Sequence, residues 1–324
     1  MRKTKLKPDV IAVSYRNKTV EVLHYGWICV INKKNKIIFK KGNISDYTFL
    51  RSVAKPIQAL PFLENNINIS LKELSVICGS HSGSKKHIQL LNLLMKKLNI
   101  KPSELLCGAH MPDDLNTKKE LIKKTLRPSA IHNNCSGKHI GMLAVCKKNK
   151  WSTKTYLNIK HPLQKNILKH LKKLSGHKNI RVATDGCGVP TFALPIKTIA
   201  LLFSRFSGSS NPNCKKIISA MIKNPFYLGG DREIDTEIMK SSKQKLLAKA
   251  GGAGIIIVTH NGNSAVIKIS DGSQLARAKV TLDLLIKLKW LKKKDIKSTY
   301  LKKVLKGNIK NHAGKIVGKM ISTL

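Results

Sequence analysis

The densest reactive stretch is HNNCSGKH, residues 132 to 139, where a cysteine, a serine, a lysine and two histidines fall within eight positions. Cys135 and Lys138 stand at i and i+3, and Cys187 follows later in a similar Asp-Gly-Cys-Gly turn. Two thiolates could hold zinc, with a third ligand nearby and a water completing a tetrahedron. Lysine is an unusual ligand, because burial and the metal charge would have to keep it neutral. The plainer alternative is two buried free cysteines packed as small hydrophobes.

A second chemistry is offered by Ser-x-x-Lys, in which Lys55 shares a helix face with Ser52 and, if neutral, could take its hydroxyl proton. The pattern begins at Ser52, Ser82, Ser175 and Ser242, as chance would give in so Lys-rich a chain. Only the first opens an apolar helical run, where free N–H groups and the helix dipole favour an oxyanion. CGSHSGSKKH, residues 78 to 87, places Ser80, His81, Ser82 and His87 in a small-residue loop. A hydrogen-bonded turn capping a helix accounts for the same residues without chemistry. Lys249 precedes AGGAG, a corner from which a side chain could reach a site from an adjacent strand. One surface lysine among many is the alternative there.

The elements that must position these groups are legible in outline. The first fifty residues alternate VIAVSY, GWICVIN and KIIFKKG with polar turns, which predicts strands. SVAKPIQALPFLEN predicts a helix starting at Ser52, an N-cap type, with Ala54, Ile57, Leu60 and Phe62 facing a core. Helices are expected over 84–98, 136–148 and about 156–178, the last stopping at Gly176. NIRVATDGCGVPTF predicts a strand and a tight turn, followed by a helical block to about 249. AGIIIVTHNGNSAVIKIS predicts a hairpin around Asn-Gly, backed by a long helix over about 272–290. Strands at both ends with helices between predict an α/β sandwich. It would be one catalytic unit over 1–324, with its sheet from about 1–60 and 250–324 and a helical and mixed middle over about 61–249.

Composition sets the bounds. At 324 residues and 42% hydrophobic, the chain can bury a large core, which excludes a disordered protein. Lys+Arg is 61 against 17 for Asp+Glu, a formal net charge of +44 that invites a polyanion reading. Only eight of these cations are Arg, and the Lys are scattered, whereas nucleic-acid readers gather Arg forks on one surface. AT-rich codons supply Lys, Asn and Ile, so drift in composition accounts for the charge. It predicts weak, salt-labile binding and no specific nucleic-acid partner. Seven widely spaced cysteines fit a reducing cytosol. The first residues hold no apolar run of signal length, and no 18 apolar residues follow one another, so a soluble, cytoplasmic protein without membrane contact is expected.

Taken together, FLRSVAKPIQALP, CGSHSG, CGAHMP, NNCSGKHIGMLA, DGCGVPTFALP, GGDREIDTEIM and SDGSQLARA resemble, in order and spacing, the asparaginase II family, the rhizobial type of L-asparaginase. VEVLHYG near the start and NHAGKIVGK near the end extend the resemblance over essentially the whole chain. It implies a fold similar to the serine β-lactamases and penicillin-binding enzymes, and hydrolysis of the L-asparagine side-chain amide to aspartate and ammonia (EC 3.5.1.1-like). By motif, Ser52 with Lys55 resembles the family's first Ser-Lys pair, and Ser80 with Lys249 its second. Cys135, Lys138 and Cys187 match its zinc-binding positions, implying one zinc per chain. Arg51 and His139 fall where substrate contacts are expected, and Asp185 just behind the metal ligands. A homodimer is expected on symmetry statistics.

Two positions depart from the family pattern. After SHSG, where the family has Glu, the residue is Ser84, and the acidic place in the Lys-x-Gly-x-[acidic]-Gly segment is Ala253. Both changes remove negative charge. A related serine amidohydrolase acting on another amide, or a degenerate basic protein without catalysis, are the competing readings. A β-lactam reaction fits less well, because GIIIVTHNG lacks a Lys-Thr-Gly strand signature.

Overall fold

The computed structural model describes residues 6–324. In chain order they form β1 (Asp9–Arg16), β2 (Thr19–Ile31), β3 (Ile37–Lys41) and β4 (Tyr47–Phe49), then α1 (Lys55–Gln58), α2 (Leu60–Glu64), α3 (Leu71–Ile77) and α4 (Lys85–Lys97). Next come α5 (Leu115–Lys123), α6 (Ser136–Lys148), α7 (Pro162–Ser175), β5 (Arg181–Thr184), β6 (Pro190–Pro195), α8 (Ile196–Ser207), α9 (Pro212–Lys223), α10 (Pro225–Leu228) and α11 (Ile234–Ser241). The chain ends with β7 (Leu247–Ala250), β8 (Ile255–His260), β9 (Asn263–Ile269), α12 (Gln274–Lys287), α13 (Thr299–Lys306), β10 (Asn308–Lys310) and β11 (Ile316–Ser322). Two compact units result: Met1–Val53 with Ala193–Gly208 and Glu237–Leu324, and Ala54–Phe192 with Ser209–Thr236.

The first unit is built on an antiparallel sheet of order β10-β11-β1-β2-β9-β8-β7, with β3 also on β2. Both ends of the chain thus contribute strands, as the alternating apolar runs predict. β2 is the hub: its first half pairs with β1 (Val13 opposite Leu23), and its second half with β9 (Cys29 opposite Val266) and β3 (Val30 opposite Phe39). Ile255–Val258 and Ala265–Ile267 are fully buried, so β8 and β9 read as continuous aliphatic runs. Asn261 and Gly262 join them at φ 49° and 79°, the positive values a two-residue type I′ hairpin requires. Helices α8 and α12 pack on this sheet, and α13 on α12.

The second unit centres on α3 and α6. A capping box starts α3: Glu73 N donates to Ser70 Oγ at 3.2 Å and Ser70 N to Glu73 at 2.6 Å. From Ser136 through Cys146 every residue of α6 is buried, so it runs through the middle of its unit. Glycine inside a helix costs about 1 kcal/mol, and α6 carries two, Gly137 and Gly141, one turn apart. A Cβ at Gly137 would lie 2.4 Å from Val76 O, and one at Gly141 2.8 Å from Ile77 Cγ2. The two helices meet there backbone to side chain, which brings the loop after α3 to the start of α6.

Several predicted elements change shape. The helix expected from Ser52 is a 3-10 turn over Arg51–Ala54 followed by α1 and α2, with prolines at both starts; Ala54, not Ser52, occupies the cap of α1. The helix expected from 156 begins at Pro162, whose fixed φ suits a first helical position, after His161 caps it by accepting from Leu163 N. Its end at Gly176, left-handed at φ 68°, is as expected. The helical block stops at Ser241, and Lys249 lies in β7, opposite Ile257 of β8. Among the described residues no helix is long and apolar enough to cross a membrane.

Candidate active site

Four of the 53 lysines are buried among the described residues: Lys55, Lys138, Lys249 and Lys279. Three of them are the site candidates. The first opens α1, 1% exposed, and its ammonium donates to Gly79 O, to Ser80 Oγ at 2.9 Å and to Asn134 O at 3.2 Å. Cys135 is a further side-chain hydrogen-bond partner of Lys55. Gly79 and Ser80 follow α3, and Asn134 precedes α6, so the close α3–α6 packing assembles this cradle. In the second unit Lys55 therefore meets Ser80, a pairing that sequence spacing does not indicate.

The thiols lie at the start of α6 and in the turn between β5 and β6. Cys135 is the residue before α6, its N–H bound to Asn133 Oδ1 at 2.8 Å, while the Asn133 amide donates to Cys107 O at 2.8 Å. Cys135 and Cys187 are hydrogen-bonded through sulfur, and Lys138 Nζ donates to Cys187 Sγ at 3.1 Å. The bond to Cys187, helped by the Lys55 and Lys138 charges against burial, holds Cys135 well below the usual thiol range. The same shared proton and burial push Cys187 up. Cys135 Sγ also lies 3.2 Å from Asn134 Oδ1 as a donor. Burial alone would lower Lys138, but the sulfur charges of Cys135 and Cys187 outweigh it and raise its pKa, with Asp185 adding to them.

Among the described residues no three His, Cys, Asp or Glu side chains converge in a way that could hold a metal ion. A metal here would need Lys138 as its third protein ligand. The two sulfurs and the amine, 3 to 6% exposed and with Cys187 in contact with both Cys135 and Lys138, are a donor set that suits tetrahedral zinc with one position open. Such a metal would require both sulfurs as thiolates and Lys138 as the free amine, so loading would expel protons. Asp185 is half-buried and turns its Oδ1 to Gly186 N at 2.8 Å.

His139, one residue beyond Lys138, is fully buried and takes a 2.7 Å bond at Nδ1 from Tyr156 OH, which itself accepts from Leu106 N at 3.0 Å. That arrangement leaves the proton on Nε2, a buried donor without a partner. Burial, then Lys138 and Lys55, lower its pKa well below the histidine range, so it is neutral. Tyr156 carries no signal in the sequence beyond being aromatic, and only the fold ties it to the site.

The 78–87 loop is a hydrogen-bonded turn as well as a neighbour of the site. His81 Nδ1 accepts from Gly83 N, Nε2 donates to Ser136 Oγ at 2.9 Å, and that hydroxyl donates to Ile131 O at 3.0 Å. His87 stacks between His81 and Phe226, its Nε2 donating to Phe226 O and its Nδ1 accepting from Ser84 Oγ at 2.7 Å. Ser84, the first departure from the family pattern, is thus a partner of His87.

In the first unit, Ser52 is half-buried within its 3-10 turn, and Arg51 before it has φ 49°. The Gly251–Gly252 corner lies against this segment: a Cβ at Gly251 would be 3.3 Å from Ser52 N, and one at Gly252 3.4 Å from the Arg51 guanidinium. Lys249, two residues before the corner, is 1% exposed, and its Nζ donates to Ala250 O at 2.7 Å. Ala253, the second departure, sits at φ 56°.

The sequence profile of a family described as L-asparaginase II matches residues 12–322. Comparison with curated proteins gave no match. Among solved structures, the chain is similar to a β-lactamase from Mycobacterium bovis, at 12% identity and TM-score 0.43, over 82% of this chain and 95% of that one. It is also similar to a protein of Bacteroides dorei provisionally assigned as a β-lactamase, at 11% identity and TM-score 0.40, over 80% and 93%.

Proposed function

The chain belongs to the L-asparaginase II family, and from that premise we propose that it hydrolyses the side-chain amide of L-asparagine to L-aspartate and ammonia by Ser-Lys chemistry beside a zinc site. An amide carbonyl is a poor electrophile, so the reaction needs an activated nucleophile, a clamp for the oxyanion and a proton for the departing amine. Ser52 Oγ attacks the carbonyl carbon while Lys55, entering as the free amine, takes the hydroxyl proton. Collapse of the tetrahedral species breaks the C–N bond as a proton reaches nitrogen, with Ser80 and Lys249 as the relay, and ammonia leaves. Water then hydrolyses the ester and returns Ser52.

The observation that carries the reading is the bond from buried Lys55 to Ser80 Oγ at 2.9 Å. It supplies the link along which a proton taken by one residue reaches the other. Lys55 donating to Gly79 O, Ser80 Oγ and Asn134 O stands for the protonated stage of the cycle. Zinc held by Cys135, Lys138 and Cys187 supplies, when bound, a positive charge and Lewis acidity for orienting substrate. The unpartnered His139 Nε2–H is a donor for a substrate oxygen, and the Arg51 guanidinium suits the substrate carboxylate.

The test is ammonia release from L-asparagine by zinc-supplied protein, beside Ser52→Ala and Cys135→Ala, with the acyl-enzyme trapped and located by mass spectrometry. Expected are collapse in both variants and an ester on Ser52. The Lys55–Ser80 bond favours a second reading, with Ser80 as nucleophile and Lys55 as its base, and an ester found on Ser80 would establish that one instead.

A further inference from the structure

We propose that Arg277 is a positioning residue for Ser52, acting through the Gly251–Gly252 corner; the inference rests on the reading of Ser52 as nucleophile. The corner has no room for side chains. A Cβ on Gly251 would lie 2.8 Å from Ile255 Cγ2 and 3.3 Å from both Leu50 O and Ser52 N. Its backbone is therefore the wall against which the Ser52 turn rests. That turn begins at Arg51 in the left-handed region, a conformation that persists only where the surroundings over-determine it.

Arg277 holds the wall. It lies in the first turn of α12, 5% exposed, and Nη1 donates to Gly251 O at 2.9 Å. Its Nε is buried without a partner, and no carboxylate pairs with it among the described residues. Two residues on, Lys279 does have a counter-charge, Asp283 at 2.9 Å. A buried cation lacking an anion, at the positive end of a helix, is a liability for stability. Stability therefore does not account for a guanidinium here. Its side-chain hydrogen bond fixes the carbonyl of Gly251, where an added Cβ would already crowd Ser52 N, and the planar fork fixes direction as well as distance. With that bond lost, the corner and the 3-10 turn relax together and Ser52 Oγ leaves its line of attack. Misplacement by about 1 Å costs on the order of a hundredfold in rate.

The experiment measures kcat and KM for asparagine, per folded molecule, in Arg277→Ala, Arg277→Lys and Ser52→Ala of the full zinc-supplied chain, with and without added guanidinium ion. Expected are a kcat in Arg277→Ala roughly ten- to a hundredfold down with KM nearly unchanged, partial recovery with guanidinium, and an intermediate Arg277→Lys. A kcat equal to wild type in Arg277→Ala, a change confined to KM, or no recovery in a protein of wild-type thermal stability overturns the proposal. Should Arg277→Ala not fold, Arg277→Lys decides by the same kcat criterion. Ammonia release surviving in Ser52→Ala would strike the nucleophile reading itself, whereas a dead Ser52→Ala beside fully active Arg277 variants would strike this inference alone.

Discussion

In the sheet unit, β8 and β9 bury Ile255, Ile256, Ile257 and Val258 against Ala265, Val266 and Ile267, while α6 of the helical unit buries Ser136, Lys138 and His139 along with its aliphatic side chains. Ladder hydrogen bonds satisfy the main-chain polar groups of β8 and β9, leaving these side chains free to be apolar, and the buried cations of the same unit, Lys249, Arg277 and Lys279, lie outside these two strands. In the second, Lys55, His81, His87, Asn133 and His139 are also buried, and each needs a specific acceptor or donor. Buried polar groups are costly unless partnered. The helical unit thus accepts desolvation in exchange for fixed orientation, and the candidate chemistry of Lys55, Ser80 and the thiols sits where that exchange is made.

The comparison can be broken first at Lys55. Lys55→Met keeps the apolar stem and removes the ammonium from Gly79 O, Ser80 Oγ and Asn134 O, and ammonia release is expected to fall about a thousandfold or more, equivalent to about 4 kcal/mol. Turnover within tenfold of wild type would place Lys55 outside the chemistry. Acid should next separate the two cores. Burial, followed by the charges of His87 and Lys55, lowers the His81 pKa well below the usual value, and burial lowers that of His87 against its bond to Phe226. Both bind a proton less readily in the fold than in the unfolded chain, so below about pH 6.5 the unfolded chain binds more protons and stability falls as pH drops. The slope is at most about 1.4 kcal/mol per pH unit for each such imidazole. Hydrogen exchange at pH 7.5 and 5.5 should show α3 and α6 losing protection before β8 and β9, and equal loss would remove the contrast.

Smaller effects sharpen the same contrast. Gly137→Ala drives a Cβ into Val76 O, which should destabilise by about 2 kcal/mol and lower turnover, because the Lys55 cradle depends on that helix contact. Gly262→Ala in the sheet-unit hairpin, at φ 79°, should cost about 1 kcal/mol and leave turnover alone. Denaturation and kcat measured on both variants check the pair. Ser70→Ala removes the α3 capping box and is expected to cost about 1 kcal/mol, read from the denaturation midpoint.

Where local pattern dictates structure, the chain was readable. Asn261-Gly262 specifies its hairpin by backbone conformation, Gly176 ends α7, and the aliphatic runs of β1, β2, β8 and β9 mark the sheet. Reading failed where local signals compete. Prolines 56 and 61 divide the helix expected from Ser52, and Lys249 lies in a short strand that helical periodicity overran. The C-terminal strands β10 and β11 and helix α13 are short, polar in part and defined by pairing with β1 and packing on α12.

By itself the sequence determined the residue types and the motif order that identify the family, together with the strands at both chain ends. Tertiary structure decided which lysines among 53 are buried, that Lys55 reaches Ser80, that Tyr156 orients His139 and that Arg277 touches the corner beside Ser52. The reason is physical. Periodicity and turn chemistry act over a few residues, whereas these contacts join segments far apart in the chain and exist only once glycine-to-backbone packing has set how closely their elements approach.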